Sequence, residues 1–175
     1  MKFKLYYLLI AIAFVVVAQV TNAQPTQVPE KDVRTLAGFG TRSTLSDTVS
    51  ATRGIGAARR WIKAEFDKIS KDCGGCLSVT YQHNMVPADK FARIKEPTVV
   101  TNVIAIQKGT VNPNSYIIMS ADIDSRASDV MDGKIDAPGA NDNASGMAGA
   151  IEAARVLSKY KFPNSIIYVG LSGEE

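Results

Sequence analysis

The chain is predicted to be α/β, a partial sandwich in which a mostly parallel mixed sheet is flanked by helices. Three observations predict it. Apolar residues step by three and four between Gly54 and Lys71; β-branched or continuous apolar runs occupy Thr98 to Ile106, Ser115 to Ala121 and Ser165 to Leu171; and a loop and a second helical pattern separate the last two runs. A strand, loop, helix, strand order is that of a parallel, right-handed crossover unit.

The first residues stand apart from the fold. Lys2 and Lys4 form a basic start, Leu5 to Ala18 is apolar, and Thr21, Asn22 and Ala23 are small or polar. That order is the pattern of a secretory signal peptide over residues 1–23, which predicts a secreted or periplasmic product. The apolar run of about fourteen residues falls short of the roughly 20 that span a bilayer, so stable membrane insertion is not expected once the leader is removed. Residues 24–34 are polar and contain proline, and read as a flexible start to the mature chain. Residues 35–175 then form one domain, since the 175 − 23 = 152 residues left after the leader allow a single sizeable core. The formal charge of +3 falls to +1 without Lys2 and Lys4, and no basic run exceeds a pair, so nothing points to nucleic acid.

From Gly54 to Lys71, Ile55, Ala58, Ile62, Phe66 and Ile69 share one helical face, which Trp61 widens. Cys73 and Cys76 follow. In an exported chain a short-range structural disulfide is the plain reading. Redox chemistry would need the first cysteine near a helix N-terminus, yet two glycines and a strand-like stretch follow. A structural zinc site would need two further soft ligands, and His83 is the only histidine. Leu77, Val79 and Tyr81 alternate as a strand, and Thr98 to Ile106 is a second. Ser115 to Ala121 is a third, read as more buried because its apolar run is continuous. A loop of some twenty residues, Asp122 to Asn143, is long for a compact domain and hence a functional candidate. Ser145 to Tyr160 is a helix with Met147, Ala150, Ile151, Ala154 and Leu157 on one side, and Ser165 to Leu171 is the last strand.

In such sheets ligands gather beyond the carboxyl ends of the strands. Asp122 and Asp124 sit at one such end, Glu174 and Glu175 at the next, and Asp142 in the loop leading to the intervening helix. Converging carboxylates repel one another and call for protons or cations, divalent metal being the natural compensator. Asp129, Asp132 and Asp136 read instead as solvated loop acids. An EF-hand fails, because its sixth and twelfth positions counted from Asp122 are Ala127 and Gly133. Gly170 to Glu174 matches a nucleophile elbow only in part, and Gly146 to Gly149 lacks the Gly-Lys-Ser/Thr ending of a phosphate loop.

Three segments, Ile117 to Ser125, Ala137 to Gly146 and Gly170 to Glu175, resemble in order and spacing the co-catalytic di-zinc aminopeptidases of metallopeptidase family 28. The likeness is clear from about Asn102 to Glu175 and loose over Thr41 to Ile69. It implies the zinc-exopeptidase type of fold, of the phosphorylase/hydrolase-like kind, and peptide substrates. It also implies that Asp142 bridges two divalent metal ions, zinc by preference, that Glu175 and the residue at position 122 ligate one each, and that Asp124 orients position 122. Glu174 would be the general base.

The family has histidine where this chain has Asp122, which moves preference at that side toward a harder ion such as manganese. It also draws a later aspartate and histidine from beyond the Glu-Glu pair, so the chain is expected to be an amino-terminal portion, inactive alone. Carboxypeptidase or cyclase activity stays open on the same scaffold, as does the alternative of a non-catalytic binding or structural member.

Overall fold

The structure, a computed structural model, describes residues 27–88 and 93–175, so the expected leader over residues 1–23 lies outside the described residues. Its elements are α1 (Gln27–Ala37), α2 (Gly54–Asp72), β1 (Leu77–Val86), β2 (Thr98–Gln107), β3 (Asn112–Asp122), a π turn (Ala140–Ala144), α3 (Ser145–Leu157) and β4 (Asn164–Leu171). Among the described residues no helix is long and apolar enough to cross a membrane.

Helix α1 covers Gln27 to Arg34, part of the stretch read as a flexible start, while residues 24–26 lie outside the described residues. Its polar residues are one face of a helix whose other side is docked: Leu36 is fully buried and Asp32 nearly so. Arg155 of α3 reaches both Asp32, at 3.3 Å, and Glu65 of α2, at 3.4 Å, tying the three helices together. Packing stabilises this helix where propensity alone would not, and a segment with so few apolar residues gives little period to read.

Helix α2 follows its pattern, with Ile55, Ala58, Ile62, Phe66 and Ile69 all buried. Its first amides are satisfied from outside: Ile55 N–H donates to Ser46 Oγ at 2.9 Å and Gly56 N–H to the Asp47 carbonyl at 3.1 Å. At its end Gly75 N–H returns to the Ser70 carbonyl at 2.7 Å, and Cys73 and Cys76 are bonded to each other across this turn.

The four strands form one mixed sheet in the order β1-β2-β4-β3. Strands β1 and β2 pair antiparallel from Leu77 opposite Gln107 to Val86 opposite Thr98, so β1 runs five residues past the expected end at Tyr81. Strand β4 lies antiparallel to β2 and parallel to β3. The crossover unit is therefore present, but "mostly parallel" is corrected: among the described residues the β3–β4 ladder alone is parallel. Burial of β3 was expected; among the described residues β3 pairs with β4 alone, and Tyr116, Ile117 and Ile118 are more than half exposed. A continuous apolar run reports what a strand is suited to face, and it cannot report which neighbour covers it.

One cluster forms the core. Phe66, Ile62 and Ile69 of α2 and Met147, Ile151 and Ala154 of α3 pack on Val103, Ala105, Ile166 and Tyr168 of the sheet. Tyr168 is fully buried, donates its hydroxyl to Gln107 at 3.1 Å, and is pushed up to about 12 by that burial.

Candidate functional site

Because β3 and β4 are parallel, their carboxyl ends coincide. Asp122 is in register with Leu171, and the Ile123 amide donates to the Leu171 carbonyl at 2.7 Å. The two acidic segments that follow, Asp122 to Asp124 and Ser172 to Glu175, are thereby set side by side. The π turn supplies the third segment. Asn143 Nδ2 donates to Asp122 Oδ2 at 3.2 Å, while Asn143 Oδ1 accepts from the Gly146 amide at 2.9 Å at the start of α3. Asp142 precedes it and is exposed. The bend before it needs Gly139, at φ +45, since a Cβ there would meet the Asp142 carbonyl oxygen at 2.4 Å.

Asp124 is 1% exposed and grips the β4 end. Its Oδ2 accepts from the amides of Gly173 at 3.0 Å, Glu174 at 3.1 Å and Glu175 at 3.2 Å, and from Thr44 Oγ1 at 3.2 Å. Gly173, at φ +89, supplies the left-handed turn that aims successive amides at one oxygen. These bonds position the segment that carries Glu174 and Glu175. The second oxygen, Oδ1, has no hydrogen-bond partner among the described residues, nor have Nε and Nη2 of the buried Arg59.

Burial pushes the guanidinium of Arg59 down to about 10, opposed by the charge of Asp124. Arg42 is held in the same way, also at about 10. Sequence reading missed Arg42 altogether. It is 1% exposed and donates to the carbonyls of Ile123 at 2.7 Å, Leu36 at 3.1 Å, Pro138 at 2.6 Å and Gly139 at 2.9 Å. One side chain thus pins the end of α1, the residue between Asp122 and Asp124, and the bend before Asp142. No local signal could have found it, because its partners lie 6 to 97 residues away.

Glu174 is exposed, and its carboxyl is raised above the ordinary range, first by Glu175, then by desolvation and the charges of Asp122, Asp124 and Asp142. Glu175 carries a compensating cation of the chain's own, Arg126, whose Nε donates to its Oε2. The residues fit a divalent ion in charge and in donor type, since every candidate ligand is a carboxylate oxygen and their repulsion is what such an ion relieves. Among the described residues, though, no three His, Cys, Asp or Glu are gathered closely enough to hold one as they stand.

The other acids have local employment. Asp129 Oδ1 accepts from the Met131 amide at 2.9 Å. The Lys134 and Ile135 amides hold the Asp132 carboxyl below its usual range. Asp136 pairs with Arg53 at 2.6 Å. His83 hydrogen-bonds Thr101 at 3.0 Å within the β1–β2 pair.

Residues 102–175 match the model of Peptidase family M28. A probable zinc metalloprotease of Leptosphaeria maculans is 44% identical over 146 residues, covering 83% of this chain and 33% of that protein. A probable zinc metalloprotease of Pyricularia oryzae is 42% identical over 140 residues, covering 80% and 28%. The chain thus spans about a third of the length of the curated relatives it matches. Among solved structures, the glutaminyl cyclase of Fimbriiglobus ruber superposes with a TM-score of 0.64 at 19% identity, over 85% of this chain and 45% of that one. The LapA aminopeptidase of Legionella pneumophila gives 0.59 at 20%, over 85% and 34%. At such identities the superpositions speak for the fold alone.

Proposed function

Because this chain belongs to peptidase family M28, we propose that it contributes the Asp122, Asp142, Glu174 and Glu175 part of an exported, metal-dependent aminopeptidase that removes amino-terminal residues from peptides. One observation carries the proposal: the parallel β3–β4 pairing sets the Asp122–Asp124 and Ser172–Glu175 segments side by side, and Asn143, next to Asp142, donates to Asp122. Export rests on the composition of residues 1–23.

Asp142, Asp122 and Glu175 would hold the ions, with Asp142 shared between them. Zinc is the proposed ion, in keeping with the names of the relatives, with manganese the choice at Asp122 if its oxygen donor decides. When bound, the ions would polarise the scissile carbonyl and acidify water. The chain's own residues do the rest. Asp124 fixes the backbone of residues 173–175 and so the position of Glu174. Glu174 is set to take a proton from the attacking water and return it to the leaving amine. Arg42, by holding the Ile123 and Gly139 carbonyls, keeps the β3 end and the π turn in one frame.

The test is metal content and hydrolysis of aminoacyl-4-nitroanilides by the full-length protein, with Glu174→Ala and Asp142→Ala compared. Glu174→Ala is expected to lose hydrolysis and keep metal, and Asp142→Ala to lose both. Hydrolysis that survives Glu174→Ala would sink the assignment. A second reading, a non-catalytic member of the family, is favoured by one observation, the engagement of Glu175 with Arg126. A full-length protein that binds no zinc would establish it. Glutaminyl cyclisation, assayed on the same preparations, separates the peptidase from the activity carried by the Fimbriiglobus ruber fold relative.

A further inference from the structure

The carboxylates gather at one end of the sheet, and a cavity of about 680 Å³ opens at the other, where β2 ends and β4 begins. The eight residues of β4 set the two ends roughly 23 Å apart. Three segments wall this cavity, and each is tied down. The first is the end of α2, closed by the Cys73–Cys76 bond. The second carries Lys108 and Thr110, and the third is the turn after α3 with Lys159 and Lys161. Gln107 is buried and joins these two, its Nε2 donating to the Tyr160 carbonyl at 2.7 Å and to the Leu157 carbonyl at 3.3 Å. The Thr110 amide adds a bond to the Phe162 carbonyl at 2.9 Å.

The charged groups that line the cavity are Lys108, Lys159, Lys161, Arg155 and Asp72. Arg155 is already engaged by Asp32, Glu65 and Glu152. Among the described residues the three lysines enter no ion pair, and neither does Asp72. The one acid outside those residues is Asp89, three positions beyond Val86, whereas the cavity lies at the Leu77 end of β1, where Leu77 pairs with Gln107. A ten-residue strand spans about 30 Å and three residues reach about 11 Å, so Asp89 belongs to the far end. Three cations on two fixed segments therefore share one cavity with a single acid. Like charges held in this way favour an anion between them, as converging carboxylates favour a cation.

An ammonium is a compact point charge that takes phosphate or sulfate oxygens from many directions, without the planar match that arginine offers a carboxylate. The volume is within the range of small-ligand sites, which exceeds the needs of one free oxyanion. We propose that this cavity binds a small polyanion carrying several phosphate or sulfate ester groups, with Lys108 contributing from one wall and Lys159 and Lys161 from another. The site is remote from the carboxylates and does not depend on the metallopeptidase reading.

The test is calorimetric titration of the full-length protein with inositol hexakisphosphate and with sucrose octasulfate, at a salt concentration of about 0.15 M. Wild type is expected to bind at least one of the two saturably. The triple variant Lys108→Gln, Lys159→Gln, Lys161→Gln is expected to weaken that binding about ten- to thirtyfold, each exposed charge contact contributing a few-fold. Lys31→Gln, Lys68→Gln, Lys134→Gln removes the same charge from residues that do not line the cavity, and is expected to stay within about twofold of wild type. Lys161→Glu reverses one charge and carries the comparison if the first triple variant does not fold. Tighter binding of the phosphate ester assigns a phosphorylated ligand, tighter binding of the sulfate ester a sulfated saccharide, and equal binding a site that reads charge alone. Absence of saturable binding of both probes by wild type, or equal weakening by the two triple variants, overturns the proposal.

Discussion

Asp124→Ala is predicted to cost more stability than any other single change at the carboxylate edge. The substitution removes one acceptor oxygen shared by the amides of Gly173, Glu174 and Glu175 and by Thr44. Hydrogen bonds to a charged group are worth about 1.5 to 3 kcal/mol each, but four donors on one oxygen do not add, and Gly173 and Glu174 are exposed enough for water to replace their partner. The change also strips the nearest counter-charge from Arg42 and Arg59, both buried, and leaving a buried charge uncompensated costs about 3 to 5 kcal/mol. The second effect sets the scale, so a loss of about 3 to 5 kcal/mol is expected. With an m-value of about 1.5 kcal/mol/M, that lowers the urea midpoint by roughly 2 to 3 M. Asp124→Asn keeps an acceptor for the amides while removing the charge, and separates the two contributions. Urea unfolding followed by far-UV circular dichroism is the assay. A drop below about 1 kcal/mol for Asp124→Ala would refute the reasoning, since it would mean that the amides and both arginines are satisfied equally well without the carboxylate.

The Asp32 carboxyl is raised, chiefly by burial and against the attraction of Arg155. A raised folded-state value gives stability that is present below the ordinary value near 3.8 and lost as pH climbs through the folded one. The stability of wild type relative to Asp32→Asn should therefore fall as pH rises above 3.8. Paired urea midpoints across that range check it, and a difference that grows with pH refutes it. The Cys73–Cys76 bond closes so short a loop that chain entropy assigns it only about 2 kcal/mol. The double Cys→Ser variant should stay folded with a lower melting temperature, and thiol labelling of denatured, unreduced protein should find no free cysteine.

The sequence by itself determined the elements whose burial is written in their own period. Helix α2 carries Ile55, Ala58, Ile62, Phe66 and Ile69 at helical spacing, and they are the residues the structure buries. The strand, loop, helix, strand order of β3, α3 and β4 was equally legible, and with it the meeting of Asp122, Asp124, Glu174 and Glu175 at one edge, because a parallel pair must bring like ends together. The three spaced segments that carry the family likeness lie within this stretch.

Only the tertiary structure decided the rest. It made a helix of Gln27–Ala37 and set the amides of residues 173–175 on one oxygen of Asp124. It also placed Arg42 among carbonyls up to 97 residues away and Arg126 on Glu175. Periodicity reports what a residue does relative to its neighbours in the chain, because backbone geometry repeats every two or 3.6 residues. A buried arginine or a single oxygen holding three amides has no period: it exists only where distant segments have packed, and the desolvation cost of its charge selects those partners after the fold has brought them near.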